Sequence, residues 1–279
     1  MKELIDCRFL QEEIKNNIRQ EISELRATPL LKILQVGDRP DSNQYVNQKI
    51  KHCNDVGIKT DLVKLDKCTT EEFITYIEQL NLDQSVHGII VQLPLPNDVN
   101  VRRVLDAIAP EKDIDCLTTT NMGLLAQGRP FVEPCTPLGV VTLLERLQYD
   151  VVGKDVLMIG RSEIVGKPLS MMLTTRNATV TLAHSKTKNL QNKINNADLI
   201  ITAIGKAKYI VASNEKAFIV DVGINFENGK LVGDFNHSDS CFDKATRVPN
   251  GIGALTTAMV CYNTLKLWKQ QQKDHVGGL

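Results

Sequence analysis

Apolar residues along the first half of the chain alternate between two spacings. Residues 7–26 place Phe9, Leu10, Ile14, Ile18, Ile22 and Leu25 near a helical period, and Pro29 ends that run. LLKILQV (30–36) is continuous enough for a buried strand. A helix is predicted over 42–56, closed by Gly57, and DLVKL (61–65) reads as the next strand. Thr69-Thr70-Glu71-Glu72 spells a capping box, so a helix runs from there to about Leu80. HGIIVQL (87–93) is another apolar strand, stopped by Pro94 and Pro96, and VRRVLDAI (101–108) is a short helix. This alternation predicts a parallel sheet covered by helices.

A stretch from Gly128 to Gly139, with Pro130, Pro134 and Pro137, reads as a junction, followed by a helix over 140–147. The alternation then restarts. Strands are expected at 156–159, 178–184, 198–204 and 217–222, with helices at 167–176 and 188–196 between them. A last helix near 254–270 carries Leu255, Met259, Tyr262, Leu265 and Trp268 on one stripe. The expectation is an α/β protein of two lobes around a cleft.

Composition narrows the class. The 279 residues are 42% hydrophobic, enough for a packed core, and 24% charged. Lys+Arg and Asp+Glu both number 33, so there is no basic excess of the kind nucleic-acid binding needs. No apolar run approaches a membrane span, and MKELIDCRFL lacks the apolar stretch of a signal peptide. The seven cysteines are odd in number and widely spaced, without C-x-x-C, which predicts free thiols rather than disulfides or structural zinc. The expected setting is the cytoplasm, with no nucleic-acid or membrane partner.

One loop suggests a cofactor. The strand VLMI leads into Gly160-Arg161-Ser162-Glu163-Ile164-Val165-Gly166-Lys167-Pro168, a strand, glycine turn and helix start. Pro168 suits a first helical turn, and amides at such an N-terminus can bind a pyrophosphate. Ser162 and Val165 stand where the common G-x-G-x-x-G fingerprint has its second and third glycines. A dinucleotide fold that prefers NAD carries an acidic residue about 20 positions on. Here the next strand ends in His184-Ser185-Lys186-Thr187, with no carboxylate to repel a 2′-phosphate. Ser185, Lys186 and Arg161 can donate to one, which favours NADP.

In the first half, Tyr45 and Lys49 are four apart on one helix face, where a phenol can orient an amine and share its proton. Gln92 lies at the end of an apolar strand, where parallel sheets present ligand-facing residues. Asp113 and Asp115 follow in Pro110-Glu111-Lys112-Asp113-Ile114-Asp115, open to roles as ligand groups or as turn and cap residues. Nucleophile-elbow, P-loop and H-E-x-x-H motifs are absent, and the five histidines are scattered, so no metal site is indicated.

These motifs together resemble the bifunctional methylenetetrahydrofolate dehydrogenase/methenyltetrahydrofolate cyclohydrolase family over essentially the whole length. The stretches that carry the likeness are VGDRPDSNQYVNQKIKHCNDVGI (36–58), GIIVQLPLP (88–96), PEKDID (110–115) and PCTPLGVVTLL (134–144). They continue with GKDVLMIGRSEIVGKPLSMML (153–173), ATVTLAHSKT (178–187) and IVDVGIN (219–225). The resemblance implies a homodimer. It implies a catalytic folate-binding domain formed by 1–137 with 263–279 and a Rossmann-type NADP-binding domain at 138–262. It also implies NADP-dependent oxidation of 5,10-methylenetetrahydrofolate to the methenyl cation, then hydrolysis to 10-formyltetrahydrofolate. By the family pattern Lys49 is the catalytic lysine, Tyr45 its aromatic neighbour, Gln92 its positioning partner and Asp115 the carboxylate that grips the pterin. Pro249 and Gly251 join them at the substrate, and Thr136, Gly160, Arg161, Ser162, Ile164, Ser185 and Ile224 fall at cofactor-contacting positions.

The chain departs from that pattern in three places. Cys116 stands where a glycine usually follows the aspartate. The usual T-P-V-P-G-G-V-G-P-M-T is Thr246-Arg247-Val248-Pro249-Asn250-Gly251-Ile252-Gly253-Ala254-Leu255-Thr256, and the G-D-V-D-F type segment reads Gly233-Asp234-Phe235-Asn236-His237. These loops line the ligands in the family, so the alternatives are a dehydrogenase with weak or lost cyclohydrolase activity, or a non-catalytic NADP-binding regulator. Retention of Tyr45, Lys49, Gln92 and Asp115 argues against the second.

Overall fold

The computed structural model describes residues 2–26 and 28–276. In chain order its elements are β1 (Glu3–Ile5), α1 (Arg8–Leu25), β2 (Leu30–Val36), α2 (Pro40–Asp55), β3 (Lys59–Leu65), α3 (Thr70–Leu82), β4 (Gly88–Val91) and α4 (Val101–Asp106). They continue with α5 (Thr119–Ala126), α6 (Cys135–Arg146), β5 (Asp155–Ile159), α7 (Gly166–Thr175), β6 (Thr179–Ala183), α8 (Leu190–Asn196) and β7 (Leu199–Thr202). The last are β8 (Phe218–Asp221), β9 (Asn225–Glu227), β10 (Lys230–Val232), β11 (Lys244–Thr246) and α9 (Ile252–Val276).

The chain divides into two compact units. One is Met1–Glu12 with Thr136–Thr256, and the other is Glu13–Cys135 with Thr257–Leu279. The second division has a parallel sheet in the order β3-β2-β4. Its central strand puts Leu31, Ile33 and Leu34 wholly out of water, each burial contributing roughly 1.5–3 kcal/mol. The outer strand β3 is polar, and Lys32 pairs with Asp61 directly across the ladder. The capping box at Thr69 forms in both directions, so two of the otherwise unpaired amides at the start of α3 are satisfied.

The other unit is built on a six-stranded sheet, all parallel, in the order β1-β11-β8-β7-β5-β6. The order reverses at β5: the chain goes from β5 to β6 on one side, then crosses to β7 on the other. Ligands bind outside the carboxyl ends of the strands at such a switch point.

Several elements differ from the sequence pattern. The junction at 128–139 is helical from Cys135, with Pro137 in the first turn of α6, where it costs no hydrogen bond. Helix α5 is not legible from periodicity; Thr118 starts it by accepting from the Asn121 amide. Phe9 and Leu25, which fit the α1 stripe, are exposed, and the helix buries Gln11 and Lys15 beside Leu10, Ile18 and Ile22. Tyr262 likewise faces water on α9.

The expected boundaries shift too. Residues 2–12 go with the six-stranded unit because β1 adds to its edge, Leu4 opposite Ala245, although the sequence pattern places them in the first domain. Residues 257–262 go with the three-stranded unit. Residues 1, 27 and 277–279 of the expected first domain lie outside the described residues. Among the described residues, no helix is long and apolar enough to cross a membrane.

Candidate active site

In the three-stranded unit, Lys49 and Tyr45 are both half-buried on α2, one turn apart. Pro40 opens this helix, and Gly57, at φ +92°, ends it in a conformation that favours glycine. Lys49 Nζ donates to Gln92 Oε1 at 3.0 Å. Gln92 is held from both ends: its amide donates to Leu34 O (2.8 Å), extending the ladder past β4, and its Nε2 donates to Leu93 O (2.7 Å). That second bond fixes which end of the side-chain amide faces the lysine.

The two aspartates of the Pro110–Asp115 segment lie in different surroundings. Asp113 is buried and works as a turn residue, accepting from the Leu117 amide (3.1 Å), the Thr118 amide (2.9 Å) and Asn121 Nδ2 (3.0 Å). Lys112 is also turned inward, its ammonium closing the carboxyl end of α3 on Leu80 O, Asn81 O and Asp83 O. Burial pushes its pKa down. Asp115 alone of the three remains half-buried.

The structure adds two groups that the sequence pattern does not single out. Cys135 is fully packed where α6 begins, its Sγ donating to Ile114 O at 3.5 Å, and its thiol is pushed far up, first by burial and then by the charge of Asp115; Lys49 pulls the other way. Lys49, Cys135 and Asp115 thus share one neighbourhood. Asn263 on α9 supports it from below, donating from Nδ2 to Ile114 O (2.9 Å) and Glu133 O (2.8 Å). The P-C-T-P motif is the available signal for Cys135; nothing local marks Asn263. Beneath Lys49, Cys53 and Cys261 meet as thiols, sulfur to sulfur 3.7 Å.

The departures from the family pattern have physical accounts. Cys116 has φ +56° and Asn250 φ +73°, both in the left-handed region that explains a glycine elsewhere. Asparagine adopts it most readily among side-chain residues, and Cys116 buries its side chain completely. Arg247, where a proline is usual, donates its amide to Ile5 O (2.9 Å), a bond proline could not make. Pro249 is exposed beside Asn250, whereas Gly251 is buried and has no room for a side chain, since a Cβ there would lie 2.1 Å from Arg247 O.

In the six-stranded unit the glycine loop follows β5 at the switch point. Gly160, at φ +125°, lies so close to the neighbouring strand that a Cβ would sit 2.3 Å from Ala203 O. Arg161, Ser162 and Ile164 are exposed on the loop. The Ser162 hydroxyl accepts from the Val165 amide (3.2 Å) and lies 3.5 Å from the Gly166 amide, which ties the loop to the start of α7. Ser185 and Lys186 are exposed just beyond β6, in a turn closed by His184 and Thr187. Ile224 is half-buried after β8, and Thr136 pairs its hydroxyl with Thr256 at 3.1 Å. A tight glycine cradle, a helix N-terminus and a carboxylate-free second strand fit a phosphorylated dinucleotide.

Comparison with known proteins gives both units the same family. The catalytic-domain model of the tetrahydrofolate dehydrogenase/cyclohydrolase family matches residues 5–115, and its NAD(P)-binding-domain model matches 134–272. The bifunctional protein FolD of Geotalea daltonii is 42% identical over 97% of this chain and 100% of its own. The solved FolD dehydrogenase/cyclohydrolase of Campylobacter jejuni superposes with a TM-score of 0.93 at 39% identity, covering 97% of this chain and 99% of that one. The Trypanosoma brucei FolD, solved with NADP cofactor and inhibitor, gives 0.89 at 31% identity, covering 96% and 97%. With both domain models in order and this identity over nearly the full length, the chain belongs to the tetrahydrofolate dehydrogenase/cyclohydrolase family.

Proposed function

We propose that Lys49, Gln92, Tyr45 and Asp115 carry the two reactions of an NADP-dependent enzyme of one-carbon metabolism. It oxidises 5,10-methylenetetrahydrofolate to the 5,10-methenyl cation and hydrolyses that cation to 10-formyltetrahydrofolate. The observation that carries the reading is the Lys49–Gln92 hydrogen bond of 3.0 Å, with Asp115 in the same neighbourhood through Cys135.

When bound, NADP supplies the hydride acceptor. The Asp115 carboxylate accepts from the pterin N3–H and 2-amino group, a paired geometry that fixes the ring. Hydride transfer leaves positive charge on the folate, so the amine of Lys49 must be held in a set direction; Gln92 Oε1 does this, and Tyr45 flanks it one turn away. In the second step water adds to the bridging carbon and the C–N5 bond opens. Lys49 Nζ takes one proton of that water, help worth roughly 10²–10⁴-fold in rate, and the other ends on N5 as its bond to carbon breaks and the hydroxyl becomes the formyl carbonyl.

On the cofactor side, Gly160 lets the backbone approach the pyrophosphate and the amides at the start of α7 receive it. Arg161, Ser162 and Ser185 meet the 2′-phosphate, while Ile164, Thr136 and Ile224 pack along the dinucleotide. Pro249 and Gly251 shape the folate side. The protein works as a homodimer in the cytoplasm, a reading supported by the family resemblance. The test follows NADPH formation from methylenetetrahydrofolate and, separately, decay of supplied methenyltetrahydrofolate without cofactor. Both activities are expected; decay at the spontaneous rate would leave a dehydrogenase alone.

A further inference from the structure

Two carboxylates in the six-stranded unit, Asp234 and Asp221, are fully buried and take no part in the chemistry above. Asp234 accepts five hydrogen bonds. Its Oδ2 receives the Ile204 amide (2.6 Å), the Gly205 amide (3.2 Å) and Thr202 Oγ1 (3.2 Å), and its Oδ1 receives the Lys206 amide (2.8 Å) and Asn225 Nδ2 (3.0 Å). Three successive amides converging on one anion, around Gly205 at φ +66°, form a nest of the kind that binds phosphate. Here the chain's own carboxylate fills it. The nest lies at the end of β7, the strand beside β5 at the switch point, and the preceding Ala203 O is the atom against which Gly160 packs.

Asp221 in turn seats Asp234. Its carboxylate accepts from the backbone amides of Asp234 (3.1 Å), Phe235 (2.9 Å) and Gly223 (3.0 Å). The fit leaves no slack: a Cβ at Gly233 would lie 1.8 Å from Asp221 Oδ2, and one at Gly223 would lie 2.1 Å from the Asp234 carboxyl carbon. Ile224 is therefore held on both sides, through Gly223 by Asp221 and through Asn225 by Asp234.

We propose that Asp234, seated on Asp221, is a positioning residue for the cofactor: it fixes the 204–206 backbone that follows Ala203, whose carbonyl packs on Gly160, and it aims Ile224, so NADP binding depends on it without contact. This rests on the reading that NADP lies along the Gly160–Gly166 loop.

The test uses Asp234→Asn, which keeps one acceptor oxygen but replaces the other with a donor, so one side of the clamp is lost. Thr202→Val, which removes a single hydrogen bond from the same carboxylate, is the milder companion if the first does not fold. Three readings are taken on the full chain: the NADPH dissociation constant, KM for NADP in the dehydrogenase reaction, and methenyltetrahydrofolate hydrolysis without cofactor. Asp234→Asn is expected to weaken NADPH binding and raise KM for NADP about tenfold or more, and Thr202→Val a few-fold. Cofactor-free hydrolysis should stay within about twofold in both. Unchanged NADPH affinity in folded Asp234→Asn, or in Thr202→Val should the first not fold, overturns the proposal. So does an equal loss of cofactor-free hydrolysis, because Asp234 would then support the whole fold. Failure of the underlying cofactor reading is distinguishable, since the unmutated protein would not bind NADPH.

Discussion

Replacing Asn263 by aspartate keeps the size of the side chain and removes both of its N–H donors. The residue is fully buried, and those donors satisfy Ile114 O at 2.9 Å and Glu133 O at 2.8 Å. Each such bond contributes about 0.5–1.5 kcal/mol net, and a buried carbonyl left unpaired costs about 1–3 kcal/mol. Asn263→Ala should therefore destabilise by about 2–4 kcal/mol, a Tm drop of roughly 4–16 °C for a chain of this size. Asn263→Asp should do worse at pH 8, where an ionised carboxylate would face two carbonyl oxygens. Once protonated, the introduced carboxyl can donate to one of them, so that variant should recover part of its stability as pH falls. The sign is fixed by burial: the folded state holds the proton at higher pH than the unfolded one, and stability declines as pH rises through the folded pKa. Because Ile114 precedes Asp115, both variants should also raise KM for folate more than KM for NADP. Thermal unfolding between pH 5 and 8, with the two KM values, decides the matter. An Asn263→Asp protein as stable as the parent at pH 8, with unchanged folate KM, would refute the account of this residue.

Further expectations concern the chemistry, the cofactor and the thiols. Lys49→Met should remove methenyltetrahydrofolate hydrolysis above background while part of the dehydrogenase activity survives; hydrolysis at the parent rate would rule out Lys49 as the acid/base. Arg161→Ala should shrink the preference for NADP over NAD by about 10–150-fold, the equivalent of one charge-assisted bond of about 1.5–3 kcal/mol, read from the ratio of kcat/KM values. Iodoacetamide on the native protein should label exposed Cys241 first and half-buried Cys68 more slowly, because burial raises the pKa of Cys68 and keeps it protonated. Cys7, Cys53, Cys116, Cys135 and Cys261 are buried and should label only on unfolding, as mass spectrometry would show. Burial pushes Asp221 up to about 7, so the folded state binds a proton that the unfolded state lacks between about pH 4 and 7. Stability should fall as pH rises across that window, and Asp221→Asn should flatten the profile of Tm against pH.

Much of the architecture is local, and local physics exposes it. The capping box at Thr69, the run Leu30–Val36 and the strand-loop-helix at Ile159–Gly166 are each written within about ten residues. Apolar period, caps and glycine turns act over that range. The missing carboxylate at His184-Ser185-Lys186 is likewise a sequence fact, and so is the i, i+4 pairing of Tyr45 with Lys49. The different surroundings of Asp113 and Asp115 are not, because both are carboxylates on one loop; only burial and the Leu117, Thr118 and Asn121 donors separate them. Phe9 and Tyr262 fit their helical stripes yet face water, since a period marks a face without saying what covers it. Strand β1 is three residues long and joins β11 near the far end of the chain, a pairing that no short window can contain. Asn263 reaches Ile114 across 149 residues, and Asp234 gathers amides from a strand-end 28–30 residues away. Such bonds depend on which backbone groups the folded chain leaves buried and unpaired, and only the assembled tertiary structure determines that.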